Sequence, residues 1–138
     1  MASEIKAELS RKNRFWLEKH RYYELKHFCL QYPLWKRERG AIRLVTVNDP
    51  TKYRPQSNDI CRSPEELSAR LEWYNNRIGM VERAAKLTDP VIGNYILQGV
   101  VNGWSYDILR ARENVPCCRD SYYALYRQFF YILSSLRD

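Results

Sequence analysis

The chain has 138 residues, with 45% hydrophobic and 28% charged positions and only 5 Gly and 6 Pro. That composition excludes a disordered or fibrous chain and leaves room for one compact domain, or one domain with a helical arm. The formal net charge is +7, which favours a polyanionic partner without requiring one.

The charge is uneven. Residues 1–40 hold ten Lys/Arg against five Asp/Glu, whereas residues 61–120 hold eight of each. No apolar run reaches the roughly 18 to 20 residues of a membrane span, and the opening MASEIKAELSRKNR has no secretory apolar core. The expected location is the cytoplasm of a bacterial host, with no membrane contact.

The first predicted helix covers Ser3 to Gln31, where Phe15, Trp16, Tyr22, Tyr23, Leu25, Phe28, Cys29 and Leu30 recur at helical spacing. Its Lys6, Arg11, Lys12, Arg14, Lys19, Arg21 and Lys26 fit three roles: a phosphate-binding arm, an ordinary solvated face, or a basic membrane-surface helix. As a phosphate arm it would act through Arg11, Lys12, Arg14 and Lys19. Pro33 breaks this helix, and a second follows to about Val47. Residues 1–47 thus form a basic helical arm. Residues 48–62, with two prolines and no periodicity, form a linker.

Ser63-Pro64-Glu65-Glu66 is a strong helix start, with Ser as cap, Pro in the first turn and acids at the positive dipole end. The helix over residues 63–88 carries an apolar seam of Leu67, Leu71, Tyr74, Ile78, Val81 and Ala85. A seam this narrow needs a helical partner, and the aromatic face of the first helix is the expected one.

Asp89-Pro90 opens a helix to Val101, which Asn102-Gly103 ends. Ser105 caps a short helix to Glu113, Pro116 closes a turn, and a last helix runs from Cys118 to Leu136. Strand signals are almost absent. The expected fold is all-α, with long amphipathic helices in an antiparallel arrangement and a C-terminal three-helix helix-turn-helix unit over residues 89–138.

In that unit Leu109 faces inward, Asn114 stands where a left-handed residue is needed, Val115 fills the turn, and Tyr122, Leu125 and Phe129 face the core. The stretch SYDILRARENVPCCRDSYYALYRQFFYILSSL, Ser105 to Leu136, resembles the region-four helix-turn-helix of sigma factors. With HRYYELKHFCLQYPLWKRE at the front, the chain resembles small phage-encoded regulators of the RinA/ArpU late-transcription type. The resemblance implies a transcription regulator that binds double-stranded DNA. Its groove-facing residues would be Arg119, Ser121, Tyr123, Ala124 and Arg127, with Arg110 and Arg112 on the backbone.

Two other classes fit the same pattern: a helical adaptor or inhibitor that binds a host protein complex, and a small terminase-like packaging protein. RNA polymerase is a further expected partner, and the tyrosine load suggests a homo-oligomer. The four cysteines and two histidines give no chelating pair, so neither a metal nor another cofactor is expected. No glycine-rich phosphate loop, GxSxG or HExxH occurs, so no catalytic residue is assigned and the protein is expected not to be an enzyme.

Overall fold

The computed structural model describes residues 14–48 and 63–138, and over these the protein is all-helical. The helices are α1 (Lys19–Leu30), α2 (Tyr32–Asn48), α3 (Pro64–Thr88), α4 (Ile92–Asn102), α5 (Tyr106–Glu113) and α6 (Arg119–Arg137). Arg11, Lys12, Cys61 and nearly all of the expected linker lie outside the described residues.

Several boundaries follow from local chemistry. Ser63 Oγ accepts from the Glu66 N–H (3.3 Å) and Ser105 Oγ from the Ile108 N–H (3.4 Å), as the sequence predicts. Asp89 caps α4 from further back, its carboxylate accepting from the N–H groups of Val91 (2.8 Å) and Ile92 (2.7 Å). Gly103 ends α4 at φ 69° and Asn114 ends α5 at φ 55°, both left-handed. Only Gln31 separates α1 from α2. Pro33 does not break the chain widely because it falls in the first turn of α2, where its missing N–H has no helical partner to lose.

The first helix starts later than its periodicity suggests. Residues 14–18 are not helical, and Glu18 is extended, its side chain accepting from the N–H groups of His20 (2.9 Å) and Arg21 (3.2 Å). The His20 N–H foremost, with that of Arg21 and the His20 and Lys19 charges, holds the Glu18 carboxyl below its ordinary value. A depressed carboxylate contributes stability above its unfolded pKa, and the contribution is lost as pH falls through the folded value. Acidification is therefore expected to fray the start of α1, and Glu18→Gln to show less of this at the same pH, as read from amide exchange of His20 and Arg21.

The described residues divide into two compact units, 14–32 with 80–138, and 33–48 with 63–79. In the first, α1 packs against α4 and α6, and α4 packs against α5 and α6. This corrects the expectation that the aromatic face of the first helix serves the long helix, because that face is taken by α4 and α6. Among the described residues, 14–32 accordingly belong with the C-terminal helices, rather than with residues 33–47 in a separate arm.

The core of this unit is aromatic. Tyr22, Tyr122, Phe129 and Phe130 are fully buried, with Leu25, Ile96, Leu109 and Leu133 around them. The Tyr22 and Phe130 rings meet edge-on at 5.2 Å, and the Tyr22 and Tyr126 hydroxyls share a hydrogen bond of 2.9 Å. A polar clamp closes one side. Arg21 donates to Ser134 Oγ (3.0 Å), the Ser134 carbonyl (3.1 Å), Glu24 (2.7 Å) and Asp138 (2.7 Å), while Arg137 reaches Glu24 (3.0 Å) and lies over the Phe28 ring. Arg21 is therefore a tie between α1 and the end of α6.

The Tyr122 hydroxyl is buried with no hydrogen-bond partner among the described residues, and a Cβ placed on Gly99 would lie 2.5 Å from it. Gly99→Ala is expected to cost about 1–3 kcal/mol by overpacking. Tyr122→Phe removes an unpaired polar atom and is expected to be neutral or stabilising by about 1 kcal/mol. In the Phe background Gly99→Ala should turn neutral or favourable, because the oxygen it meets is gone and helix propensity gains about 1 kcal/mol. Denaturant melts of the two single variants and the double variant read this coupling directly.

The second unit joins α2 to the first part of α3. Trp35, Ile42, Leu67, Tyr74 and Ile78 are buried. The Trp35 and Trp73 rings meet edge-on at 6.4 Å, Arg77 lies 3.6 Å over Trp73, and Arg39 donates to Asn75 Oδ1 (3.2 Å). The expected seam of the long helix is largely buried along its length, Leu67, Tyr74, Ile78, Val81 and Ala85 being at most 6% exposed.

Candidate functional site

Two helices, α5 and α6, are joined by the turn Asn114–Cys118. Asn114 donates its N–H to the Arg110 carbonyl (2.9 Å) from the left-handed conformation, which turns the chain sharply. Val115 is then buried at 6% exposure, and the turn is anchored on α5 by the Tyr106 hydroxyl, which donates to the Cys117 carbonyl (2.6 Å). Leu109 and Tyr122 are fully buried on the inner sides of the two helices.

The start of α6 is open. Cys118, Arg119, Asp120 and Ser121 are exposed, and Cys118 makes no side-chain cap to the helix. First-turn N–H groups that meet no stronger side-chain acceptor than the Cys118 sulfur, at the positive end of a 19-residue helix, form a surface suited to an anionic group. The Cys118 sulfur lies 3.2 Å from Ser121 Oγ, and as a thiolate it accepts from the Ser121 hydroxyl and then the Ser121 N–H, which hold that thiol below its ordinary value. Burial pushes the Cys117 and Cys29 thiols the other way.

From the open end an outward face runs along α6 at helical spacing through Asp120, Ser121, Ala124, Arg127, Gln128 and Tyr131. Ser121 and Ala124 are exposed on it, Arg127 and Gln128 are half-buried, and Tyr131 is 41% exposed. Arg119 lies off this face, on the side of α6 toward α5 and in line with Tyr123, its side chain 43% exposed, with its guanidinium 3.6 Å from Asp107 and 5.7 Å above the Tyr123 ring. Arg110 and Arg112 are exposed on α5, Arg112 resting over the Trp104 ring at 4.9 Å.

Tyr123 corrects the sequence reading. It is only 5% exposed, and its hydroxyl accepts from the Tyr106 backbone N–H (3.2 Å). A side chain so placed supports α5 and has no access to a groove. Gln128, which the sequence reading did not name, shares the outward face with Ser121 and Ala124. The signal for it was available, since Gln128 stands seven residues from Ser121 and four from Ala124.

Of the expected phosphate contacts at the front, Arg14 and Lys19 are exposed, and the Arg14 guanidinium lies over Phe15. Among the described residues no group of three or more His, Cys, Asp or Glu is placed to hold a metal ion, and no helix is long and apolar enough to cross a membrane.

The local charge is close to balanced. Over residues 105–128 Arg110, Arg112, Arg119 and Arg127 stand against Asp107, Glu113 and Asp120. Any anion recognised here would be read by placed groups more than by a strong field.

Fold and site together define an all-α protein whose last helix offers an open first turn and a polar outward face. No protein-family model matches the chain, and neither a curated protein nor a solved structure is significantly similar to it.

Proposed function

We infer that the protein is a non-enzymatic, sequence-specific DNA-binding regulator of transcription, of phage or prophage origin, in which α6 enters the major groove. The observation that carries this reading is the pairing of a tight left-handed turn at Asn114 with an exposed first turn of α6. In this reading Arg119 and Arg127 address base edges, where an arginine pairs with guanine O6 and N7. Ser121 and the first N–H groups of α6 meet phosphate oxygens, Ala124 packs against a thymine methyl, and Arg110 and Arg112 reach the backbone from α5. RNA polymerase and a second copy of the chain are proposed as further partners.

Arg127→Ala is expected to weaken binding to a selected duplex about tenfold while leaving binding to an unselected duplex within about twofold. Fluorescence anisotropy on the two duplexes measures both.

A second reading, a helical adaptor that binds a protein complex, is favoured by one observation: Asp120 shares the outward face with Ala124, Gln128 and exposed Tyr131. An acid there repels phosphate and suits a protein surface. In that case the wild-type protein would retain no duplex DNA at low salt and would bind one protein partner in fixed stoichiometry.

A further inference from the structure

Two thiols stand side by side in the turn that leads into α6. Cys118, the residue before the first turn of α6, is exposed, and Cys117 is half-buried. The Cys118 sulfur lies 3.2 Å from Ser121 Oγ, a donor already in place for a thiolate, and the Cys118 carbonyl accepts from the Tyr122 N–H (2.9 Å) at the opening of the helix. Burial, with the Cys118 and Asp89 charges, holds the Cys117 thiol up, so the pair divides into an accessible nucleophile and a protonated neighbour. An exposed, thiolate-prone cysteine beside a second thiol is the arrangement in which oxidation stops at a disulfide. Cys29 has neither feature, being buried with its thiol pushed up by that burial.

The turn is also where such a bond would act on the fold. Neighbouring Cα atoms are about 3.8 Å apart, closer than the roughly 4.4 to 6.8 Å that relaxed disulfides span. A bond between these two residues is therefore strained and easily reduced, which suits a reversible switch and not a structural staple. The ring it closes contains the Cys117–Cys118 peptide, whose carbonyl the Tyr106 hydroxyl holds at 2.6 Å to anchor the turn on α5. Ring closure pulls that carbonyl against Tyr106 and takes the Cys118 sulfur away from Ser121.

We propose that Cys117 and Cys118 form an oxidative modification site for hydroperoxides, in which a disulfide closes within the turn and loosens the first turn of α6. The Cys118 thiolate attacks a peroxide oxygen. The S–O bond forms, the O–O bond breaks, and the departing hydroxide or alkoxide takes up a proton; the sulfur is oxidised by two electrons and the peroxide reduced. The Cys117 sulfur then attacks the sulfenic acid on Cys118. The S–S bond forms, the S–O bond breaks, and the hydroxide leaves as water with the Cys117 proton. Excess thiol reopens the ring by exchange. The site consists of two thiols and a turn, so it stands whichever partner α6 docks on.

The test treats the full chain, as wild type, Cys117→Ser and Cys118→Ser, with hydrogen peroxide in slight excess. Mass spectrometry follows the tryptic peptide Glu113–Arg119, which holds both thiols and no other. In wild type this peptide should become lighter by two hydrogens while the protein stays free of cross-links between chains, and excess glutathione should restore it. A cyclic dione should trap sulfenic acid on Cys118 of Cys117→Ser about fivefold or more above wild type, where the neighbouring thiol consumes it. In Cys118→Ser, Cys117 should react about tenfold more slowly than Cys118 does in Cys117→Ser. In oxidised wild type the Ser121 and Tyr122 N–H groups should exchange about threefold or more faster than in the reduced protein, and recover on reduction. The wild-type measurements need no substitution, so they decide the matter even where a variant folds poorly. A wild-type peptide that stays reduced, gains oxygen without losing hydrogen, or cross-links to a second chain would overturn the proposal. So would equal reactivity of the two thiols in the single variants, or a closed disulfide that leaves exchange in α6 unchanged.

Discussion

Gly93→Ala is expected to lower the stability of the unit formed by residues 14–32 and 80–138 by about 2–4 kcal/mol, with a matching fall in the thermal midpoint. A Cβ at this position would run into the carbonyl oxygen of Ala85 and crowd its carbonyl carbon (2.9 Å). The obstacle is the backbone of α3, not the end of a flexible side chain, so relief requires α4 to move away from α3. That movement would disturb Asp89, whose carboxylate caps α4 and whose backbone carbonyl accepts from the Gly93 N–H (3.0 Å). The gain in helix propensity, about 1 kcal/mol, is too small to offset this. Circular-dichroism melts of the variant beside wild type measure the effect, and Gly79→Ala, where nothing lies within 4 Å of the added carbon, serves as the control.

Ala124→Glu is expected to reduce affinity for duplex DNA by about 100-fold or more while the melt stays within a degree or two of wild type. Ala124 is exposed at the centre of the outward face of α6, between Ser121 and Gln128. A carboxylate there meets phosphates and base acceptors, and Arg127, one turn on along the same face, would be drawn to it and away from DNA. Glutamate is a good helix former, so the helix itself is not weakened. A binding isotherm on a selected duplex, run beside the melt, separates lost recognition from lost folding.

Much of this architecture was legible in short-range chemistry. Ser63, Ser105 and Asp89 act on N–H groups two or three residues away, and Gly103 and Asn114 adopt the conformation their residue types tolerate. What the sequence hid was decided at long range. The tie from Arg21 to Ser134 and Asp138 spans more than a hundred residues, and nothing in the periodicity of either helix announces it. Tyr123 was misplaced for a related reason. An amphipathic pattern locates the centre of a buried face but not its width, and α6 is approached by α1 and α4 while α5 reaches over Tyr123. The front helix failed in the other direction. Its aromatic spacing continued past Glu18 toward the N-terminus, yet one carboxylate accepting two N–H groups ends the helix there.

The central claim is that the first turn of α6 and its outward face read duplex DNA, and equilibrium binding against salt tests it most directly. With Arg110, Arg112 and the first turn of α6 on the backbone, the logarithm of the binding constant should fall linearly with the logarithm of salt. The slope should be about −3 to −5, near 0.9 per phosphate neutralised, and Arg110→Ala should reduce it by about one. Absence of any duplex retention at about 50 mM salt, or a slope that stays the same in Arg110→Ala and Arg112→Ala, would contradict the account.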